Sequence, residues 1–339
     1  MSEPIDIKTK KKLSPSTEIN FDKEIVLEIV QNSLVKTYDE WVKFQQTWVN
    51  KAYATFHDFD KYLVLIYLIK TVWQDLSDKF KFQSIDEFYS HDQVIIPKIN
   101  LIKISEELNI PKETIRRKVN DFQKVGILRR EGKSIILNRS LMIFQKPTSS
   151  LDQLCKFIEK TSALIPKEKL FNKNYSREEY KIFICKHFTV CWSRFFNLQI
   201  PYLVRNRNTF RTLETWNIWG TIAINHMINV KKMDEKRLLD ENIMPNNFVD
   251  QLINVKIKHG INASTISDMS GIPRATVIRK LKWLTNQNVI KKDKNLQYFM
   301  TDKGKLNKQI NKNISRLHQD IAYFLTDIID LIKNSNLKI

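Results

Sequence analysis

The clearest alternation of apolar and polar positions lies between residues 261 and 304. It predicts a short helix around residues 264–269, a tight turn at Gly271, and a second helix with Pro273 at its first position. Residues 289–300 then predict two short strands joined by a polar turn. The apolar residues of the second helix recur at i, i+4 and i+7 and form its predicted buried face: Val277, Leu281 and Leu284.

The same pattern occurs 162 residues earlier, between residues 99 and 139. At two turn positions, glycine and asparagine are exchanged between the copies. Both residue types tolerate a positive φ, so each exchange preserves the backbone. Two matches in register therefore indicate an internal duplication. The exchanged pairs are Asn109 with Gly271 and Gly126 with Asn288, and the matching apolar face is Ile115, Val119 and Phe122.

Each copy resembles the winged helix-turn-helix DNA-binding modules of the MarR and IclR regulator families. The resemblance covers about forty residues per copy and rests on their pattern. It implies that the second helix of each module enters the major groove and that the strands form a wing. The predicted fold is mainly α with small β wings. Two winged helix-turn-helix modules are each preceded by a helical segment, and a C-terminal helix follows.

An aromatic-rich helical pattern precedes each module, and its two copies are 154 residues apart. Because this spacing differs from that of the modules, an insertion is expected in the second half. The predicted core positions are Tyr38, Trp41, Trp48, Phe56, Phe59, Tyr62 and Leu65, then Trp192, Phe195, Tyr202, Phe210, Leu213, Trp216 and Trp219. The predicted divisions are a basic flexible tail (1–20), the first helical segment and module (21–146), a linker and connecting helix (147–172), the second helical segment and module (173–305), and a C-terminal heptad helix (306–339).

The C-terminal helix carries an apolar residue every three or four positions, which is the pattern of a heptad seam. Two interpretations are open. The seam mediates a homodimer, as terminal helices do in MarR-like proteins, or the helix folds back on its own chain. The seam residues are Ile310, Ile314, Leu317, Ile321, Phe324, Ile328 and Leu331.

The chain of 339 residues has a formal net charge of +19, which favours a polyanionic partner and above all double-stranded DNA. An AT-rich genome would also enrich lysine, so the charge is not decisive. Three cysteines indicate a reducing compartment. No signal peptide or membrane-spanning run is evident, and the expected location is the cytoplasm, in association with the nucleoid.

Exposed side chains on each second helix are the candidates for reading DNA bases, and arginine suits a guanine edge because its planar fork can bond O6 and N7 together. Other basic residues on the helices and wings are candidates for phosphate contacts. The alternative for each of them is an ordinary solvated surface. The base-reading candidates are Thr114, Arg116, Arg117, Thr276, Ile278 and Arg279. The phosphate candidates are Lys112, Arg129, Arg130, Lys133, Arg274, Lys282, Lys291, Lys292 and Lys294.

No sequence motif indicates catalysis, and neither a cofactor nor a metal is predicted. Cys185, His187 and Cys191 lie close together but lack a fourth ligand at a suitable spacing. His57, Asp58 and Asp60 are interpreted as a loop or helix cap rather than an active site.

The sequence therefore predicts a sequence-specific transcriptional regulator that is not an enzyme. One alternative is a plasmid or phage replication initiator, because such proteins also place two winged helices in one chain. A second alternative is a protein-interaction scaffold in which the charge is incidental.

Overall fold

The computed structural model describes residues 23–78, 82–96, 100–132, 134–138, 146–166, 173–233, 245–301 and 304–334. Within these residues the chain forms 14 α-helices and small antiparallel sheets. The prediction of a mainly α fold with small β elements is confirmed. The predicted basic tail at residues 1–20 lies outside the described residues.

The first half of the chain runs from residue 23 to residue 162. Its helix pair and hairpin form the first unit, which consists of α5 (Leu101–Leu108), α6 (Lys112–Lys124), β2 (Leu128–Glu131) and β3 (Ser134–Asn138). Strand β1 (Gln93–Ile96) adds to the hairpin, giving a sheet of order β1-β3-β2. The elements are α1 (Lys23–Asn32), α2 (Leu34–Phe56), α3 (Phe59–Asp78), α4 (Ile85–Tyr89), β1 (Gln93–Ile96), α5 (Leu101–Leu108), α6 (Lys112–Lys124), β2 (Leu128–Glu131), β3 (Ser134–Asn138) and α7 (Thr148–Ser162).

The second half runs from residue 177 to residue 334. Its helix pair and hairpin form the second unit, which consists of α12 (Ala263–Ser270), α13 (Arg274–Asn286), β4 (Ile290–Lys292) and β5 (Tyr298–Met300). An isolated bridge between Ile261 and Tyr298 occupies the place of a third strand beside β5. The elements are α8 (Arg177–Lys186), α9 (Phe188–Phe210), α10 (Leu213–Met233), a 3-10 turn (Pro245–Asn247), α11 (Phe248–Asn254), α12 (Ala263–Ser270), α13 (Arg274–Asn286), β4 (Ile290–Lys292), β5 (Tyr298–Met300) and α14 (Asn307–Asn334).

The two halves repeat the same order of elements. Helices α8 and α9 start 154 residues after α1 and α2 and have equal lengths of 10 and 23 residues. Helices α12 and α13 start 162 residues after α5 and α6, again with equal lengths of 8 and 13 residues. The expected insertion therefore falls between the start of α10 and the start of α12.

Helices α2 and α9 contact each other through Gln45 and Gln199, which are both buried. These two glutamines are equivalent residues, and each side-chain amide donates to the other, at 2.7 and 3.0 Å. Around them the aromatic contacts are also reciprocal. The Trp41 ring lies 5.2 Å from that of Tyr202, and Trp48 lies 5.1 Å from Phe195. Since Trp41 corresponds to Phe195 and Trp48 to Tyr202, the halves are related by an internal pseudo-two-fold axis, as in an isologous dimer.

The halves also exchange their first helices. Helix α1 packs on α14 of the second half, while α8 packs on α7 of the first half. Helices α7 and α14 in turn pack on α2 and α9 of their own halves. Helix α7 begins at Thr148, inside the segment predicted as a linker, and it buries Leu151, Leu154 and Phe157. The predicted connecting helix is thus the first-half counterpart of α14.

The heptad seam of α14 packs against other helices of the same chain. Its residues Ile310, Leu317, Ile321 and Ile328 are each 2% exposed or less, because α14 packs against α9, α1, the 3-10 turn and α11. This is the folded-back arrangement that the sequence left open. The predicted homodimer stays a prediction, and through the same seam it would have to displace these contacts.

The other predicted divisions remain predictions. The boundaries near residues 20, 146, 172 and 305 each fall within or beside segments outside the described residues. The buried apolar residues of both halves form one continuous cluster. Twelve of the fourteen predicted core positions are buried, with Trp41, Phe195 and Phe210 at 2% exposure or less. Trp48 and Phe56 are only half-buried and pack against the cluster.

Candidate nucleic-acid interface

The turn between the two helices of each unit is built from equivalent residues. Asn100 caps α5 by accepting from two backbone N–H groups of the first turn, and Asn262 caps α12 by accepting from one. One serine in each unit then bonds across the turn. The hydroxyls of Ser105 and Ser267 each donate to the carbonyl of the isoleucine five residues later, both at 2.7 Å. The small side chain brings the two helices close together at this point.

The glycine and asparagine positions have the backbone conformation expected from the sequence. Asn109 and Gly271 end the first helix of each unit with φ of 51° and 70°. Gly126 and Asn288 follow the second helix with φ of 77° and 55°. All four therefore lie in the left-handed region that glycine and asparagine tolerate best. The exchange of these residues between the units keeps the path of the chain.

The second helix of each unit buries the predicted apolar face. Val277, Leu281 and Leu284 are 0% exposed, and Ile115 in the first unit is equally buried. The predicted helix position of Pro273 is wrong. Pro273 is the N-cap of α13 rather than its first residue, and it has an extended ψ of 136°. No side chain caps α6 or α13, so the amides of their first turns carry the partial positive charge of a helix N-terminus without such a cap.

The base-reading candidates lie on the face opposite the buried residues. Arg116, Arg117, Ile278 and Arg279 are exposed, whereas Thr114 and Thr276 are half-buried. Arg116 forms an ion pair with Glu113 at 2.8 Å, so a neighbouring surface carboxylate already balances part of its positive charge. Its equivalent is Ile278, an apolar side chain that is 45% exposed. The two helices thus differ most at this position.

The phosphate candidates in the described residues are all exposed. Arg274 donates from Nε to the Ser264 hydroxyl at 3.2 Å, Arg129 pairs with Glu131 at 2.5 Å, and the Lys292 ammonium lies 5.8 Å from the centre of the Tyr298 ring. Lys133 lies outside the described residues. The exposed candidates are Lys112, Arg129, Arg130, Arg274, Lys282, Lys291, Lys292 and Lys294.

Each second helix is tied to its half of the core by an equivalent lysine. Lys118 of α6 forms an ion pair with Asp58 at the start of α3. Lys280 of α13 donates to the hydroxyl of Thr212, 3.0 Å away, at the start of α10. Burial lowers the pKa of Lys280, although nearby Glu214 opposes the shift. These lysines were not among the predicted site residues. They lie 162 residues apart, which is the spacing of the two units, and this equivalence is the sequence signal that could have identified them.

The cluster of His57, Asp58 and Asp60 has the structural role expected of a cap. His57 ends α2 with a φ of 50°, and the Asp58 carboxylate accepts from the Lys61 backbone N–H at 3.0 Å. Asp60 pairs with Arg207 of α9 at 2.8 Å. All three residues join helices together.

Each unit also touches the long helix of the opposite half. In the first unit, the Asn109 amide donates to the side-chain oxygen of Asn208 at 2.8 Å, and Arg207 donates to the Asn109 carbonyl at 3.0 Å. In the second unit, the Asn50 amide of α2 donates to the Met269 carbonyl at 2.7 Å. Both units are therefore held by the pseudo-symmetric core at their helix-helix turns.

The two hairpins end in different turns. In the first, Glu131 pairs with Ser134 across a two-residue turn that begins at Gly132, where φ is 56°. In the second, Lys292 pairs with Tyr298, and the longer turn between them carries Leu296 at its surface, 60% exposed and with a φ of 61°. Leu296 was not predicted as a site residue. An isolated leucine in a polar turn gives no periodic signal.

The part of the chain that the structure describes contains no group of three or more His, Cys, Asp or Glu side chains that could hold a metal ion. Cys155 and Cys191 are buried, and burial raises the pKa of both thiols. Among the same residues, no helix is both long enough and apolar enough to cross a bilayer.

No family model matches the chain, and neither the curated proteins nor the solved structures contain a match.

Proposed function

We propose that the protein is a sequence-specific DNA-binding transcriptional regulator built from two winged helix-turn-helix modules in one chain. The first unit and the second unit are these modules. In this proposal α6 and α13 lie in the major groove of two neighbouring half-sites, and the β2–β3 and β4–β5 hairpins are the wings.

The observation that carries the proposal is the exposed face of the two second helices. Arg117 and Arg279 are equivalent residues, and both are exposed on the face opposite a fully buried stripe. Helix α6 contains five basic and two acidic residues, and α13 contains four basic residues and no acidic one. One lysine of each helix, Lys118 or Lys280, contacts the core, and the other basic residues are exposed. A rigidly mounted helix with a basic exposed face and an uncapped N-terminus suits the major groove and its flanking phosphates.

The pseudo-two-fold core supports recognition of two half-sites. In the MarR-like proteins that the units resemble, two copies of a chain form a dimer. Here the reciprocal contacts of Gln45 and Gln199 hold two units together within one chain. Because Arg116 is replaced by Ile278, and Asn120 by Lys282, the two half-sites should differ in sequence. The preferred DNA site is therefore a pair of non-identical half-sites.

A replication initiator is the second candidate, and the presence of two units in one chain favours it equally well. The two candidates differ in where the sites lie. A regulator should bind beside a promoter, whereas an initiator should bind tandem repeats beside an AT-rich origin.

The test is selection of bound fragments from a sheared genomic library by the purified full-length protein near physiological salt. We expect enrichment of fragments with a shared two-part motif, and their genomic positions choose between regulator and initiator. Log affinity for the motif should also fall linearly with log salt concentration, because phosphate contacts release counterions. A protein that enriches no fragment would contradict DNA binding and favour the protein-interaction scaffold.

A further inference from the structure

Leu296 combines two features that are each unusual for a leucine. It is 60% exposed at the turn between β4 and β5, and its φ of 61° lies in the left-handed region. A left-handed backbone is costly for a residue with a bulky side chain, and exposure of that side chain to water brings no compensating burial. Strain of this kind persists only where the surroundings impose it, and it is often found at functional sites.

The turn that holds Leu296 is imposed by Asp293. The Asp293 carboxylate accepts from the backbone N–H groups of Asn295 and Gln297, at 2.9 and 2.8 Å. The backbone of Asp293 also donates to the Gln297 carbonyl at 2.9 Å and accepts from the Leu296 N–H at 3.2 Å. The Gln297 side chain in turn accepts from Gly260 at 2.9 Å, which ties the turn to the body of the second unit. Leu296 is therefore presented by a fixed turn.

The surroundings of Leu296 fit a polyanion. Lys291, Lys292 and Lys294 are exposed on the same hairpin. The one acidic residue of the turn, Asp293, directs its carboxylate to the backbone. The tip thus combines positive charge with a single apolar side chain, which is the combination that proteins use when they insert a wedge between DNA bases.

In the sequence, the residues between β2 and β3 are Gly132 and Lys133, and neither has an apolar side chain. This turn of the first hairpin begins with Gly132, and the preceding Glu131 pairs with Arg129. Any contact that depends on an apolar tip therefore belongs to the second unit alone.

We infer that Leu296 is a DNA wedge: the second hairpin inserts its side chain between adjacent base pairs in the minor groove and unstacks that step. This inference rests on the proposed function. It adds that the protein deforms DNA on one side only, beside the half-site that α13 contacts, and that an easily unstacked pyrimidine–purine step is preferred there.

The test uses the full-length protein and duplexes carrying its selected motif, with 2-aminopurine placed at successive positions. Unstacking of the probe raises its fluorescence. Leu296→Gly removes the side chain and accepts the positive φ, Leu296→Asn also accepts it without an apolar group, and Leu296→Met keeps an apolar side chain. Ile182→Ala is the matched control, since Ile182 is another exposed apolar residue, 54% exposed on α8.

With the wild-type protein, fluorescence should rise at one position on the side of the second unit. Leu296→Gly and Leu296→Asn should abolish the rise and weaken binding of the motif about tenfold, which corresponds to about 1.4 kcal/mol. Leu296→Met should retain most of the signal, and Ile182→Ala should not change it. The melting temperature of Leu296→Gly should equal or exceed that of the wild type, which shows that the turn still folds.

The two proposals fail in different ways. Specific binding of the motif by the wild type without any rise in fluorescence, or with the same rise after Leu296→Gly, would overturn the wedge alone. Absence of specific binding by the wild type would overturn the proposed function and the wedge together.

Discussion

The first and second units have the same backbone features but differ in the side chains that they expose. Their caps, serine bonds and four left-handed positions agree residue by residue. On the surface, the Glu113–Arg116 pair of α6 gives way to Ala275 and Ile278 in α13, and a glycine turn gives way to one that presents Leu296. Residues that determine the path of the chain are therefore shared by the two units, while several exposed residues differ. Under the proposed function, this difference gives two related but distinct DNA-binding surfaces.

The strongest test of the shared core is Trp41→Ala. Trp41 is fully buried, and its ring lies within 5.3 Å of the rings of Phe157 and Tyr202, so it links both halves. We expect the free energy of unfolding to fall by about 3–5 kcal/mol. Urea unfolding followed by circular dichroism should show a single transition, shifted as a whole.

Trp283→Ala is the control for loss of a tryptophan from one unit, because Trp283 is only half-buried on α13. Its effect should be clearly smaller. If Trp41→Ala instead produced two transitions and moved only one of them, the halves would fold independently, and the common core would not be the unit of stability.

The two lysine ties should differ in strength. Lys118→Met removes the ammonium that meets the Asp58 carboxylate and should cost about 2 kcal/mol, as expected for a hydrogen bond to a charged group. Lys280→Met removes a bond to the neutral Thr212 hydroxyl and should cost less than about 1 kcal/mol. Chemical unfolding of the two variants measures both losses. Equal losses would show that the ion pair adds nothing to the attachment of α6.

The left-handed turns can be tested by exchanging residues between the units. Gly271 has a φ of 70° and open space where a Cβ would lie, so only the backbone conformation opposes a side chain there. Gly271→Ala should lower the free energy of unfolding by about 1–2 kcal/mol. Gly271→Asn, which installs the residue of the first unit, should cost less. An asparagine as harmful as alanine at this position would contradict the equivalence of the turns.

The smallest expected effect concerns pH and the residue pair His226 and Val72, which are equivalent in α10 and α3. His226 is 3% exposed, with Nε2 2.9 Å from the Leu252 carbonyl, and burial lowers its pKa although backbone carbonyls oppose the shift. The neutral form is favoured in the folded state. Its contribution to stability is therefore complete above the unfolded pKa of about 6.5 and is lost as the pH falls through the lower folded pKa.

His226→Val should consequently reduce the drop in melting temperature between about pH 7.5 and about pH 5.5, a range that spans the histidine pKa. Part of the drop should remain, because burial also lowers the pKa of His187. An unchanged drop in the variant would mean that His226 does not contribute to the acid sensitivity.

The sequence predicted the local features of the units well. The buried stripe of α13, the turns at Asn109 and Gly271, and the two strands all depend on residues close together in the chain. Such features follow from helical periodicity and from the few residue types that accept a positive φ. The candidate DNA-facing residues followed from the same periodicity, because knowing the buried face of a helix identifies the exposed one.

The arrangement of the halves could not be predicted in the same way. Glutamine is rarely buried, so nothing in the sequence around Gln45 or Gln199 indicated a central position. The seam of α14 predicted that the helix has a partner but not that the partner belongs to the same chain. Partner choice depends on contacts between residues more than 100 positions apart, such as Arg205 with Asp320, for which local patterns carry no information.

The most direct test of two distinct reading surfaces is selection from a random duplex library by the wild type, Arg117→Ala and Arg279→Ala in parallel. The wild type should select a motif with two unlike halves. Each variant should lose about 1–3 kcal/mol of affinity and its base preference at one position, in a different half for each arginine. Loss of preference in the same half, or an equal loss on every sequence with no change in the motif, would contradict base reading by these two residues.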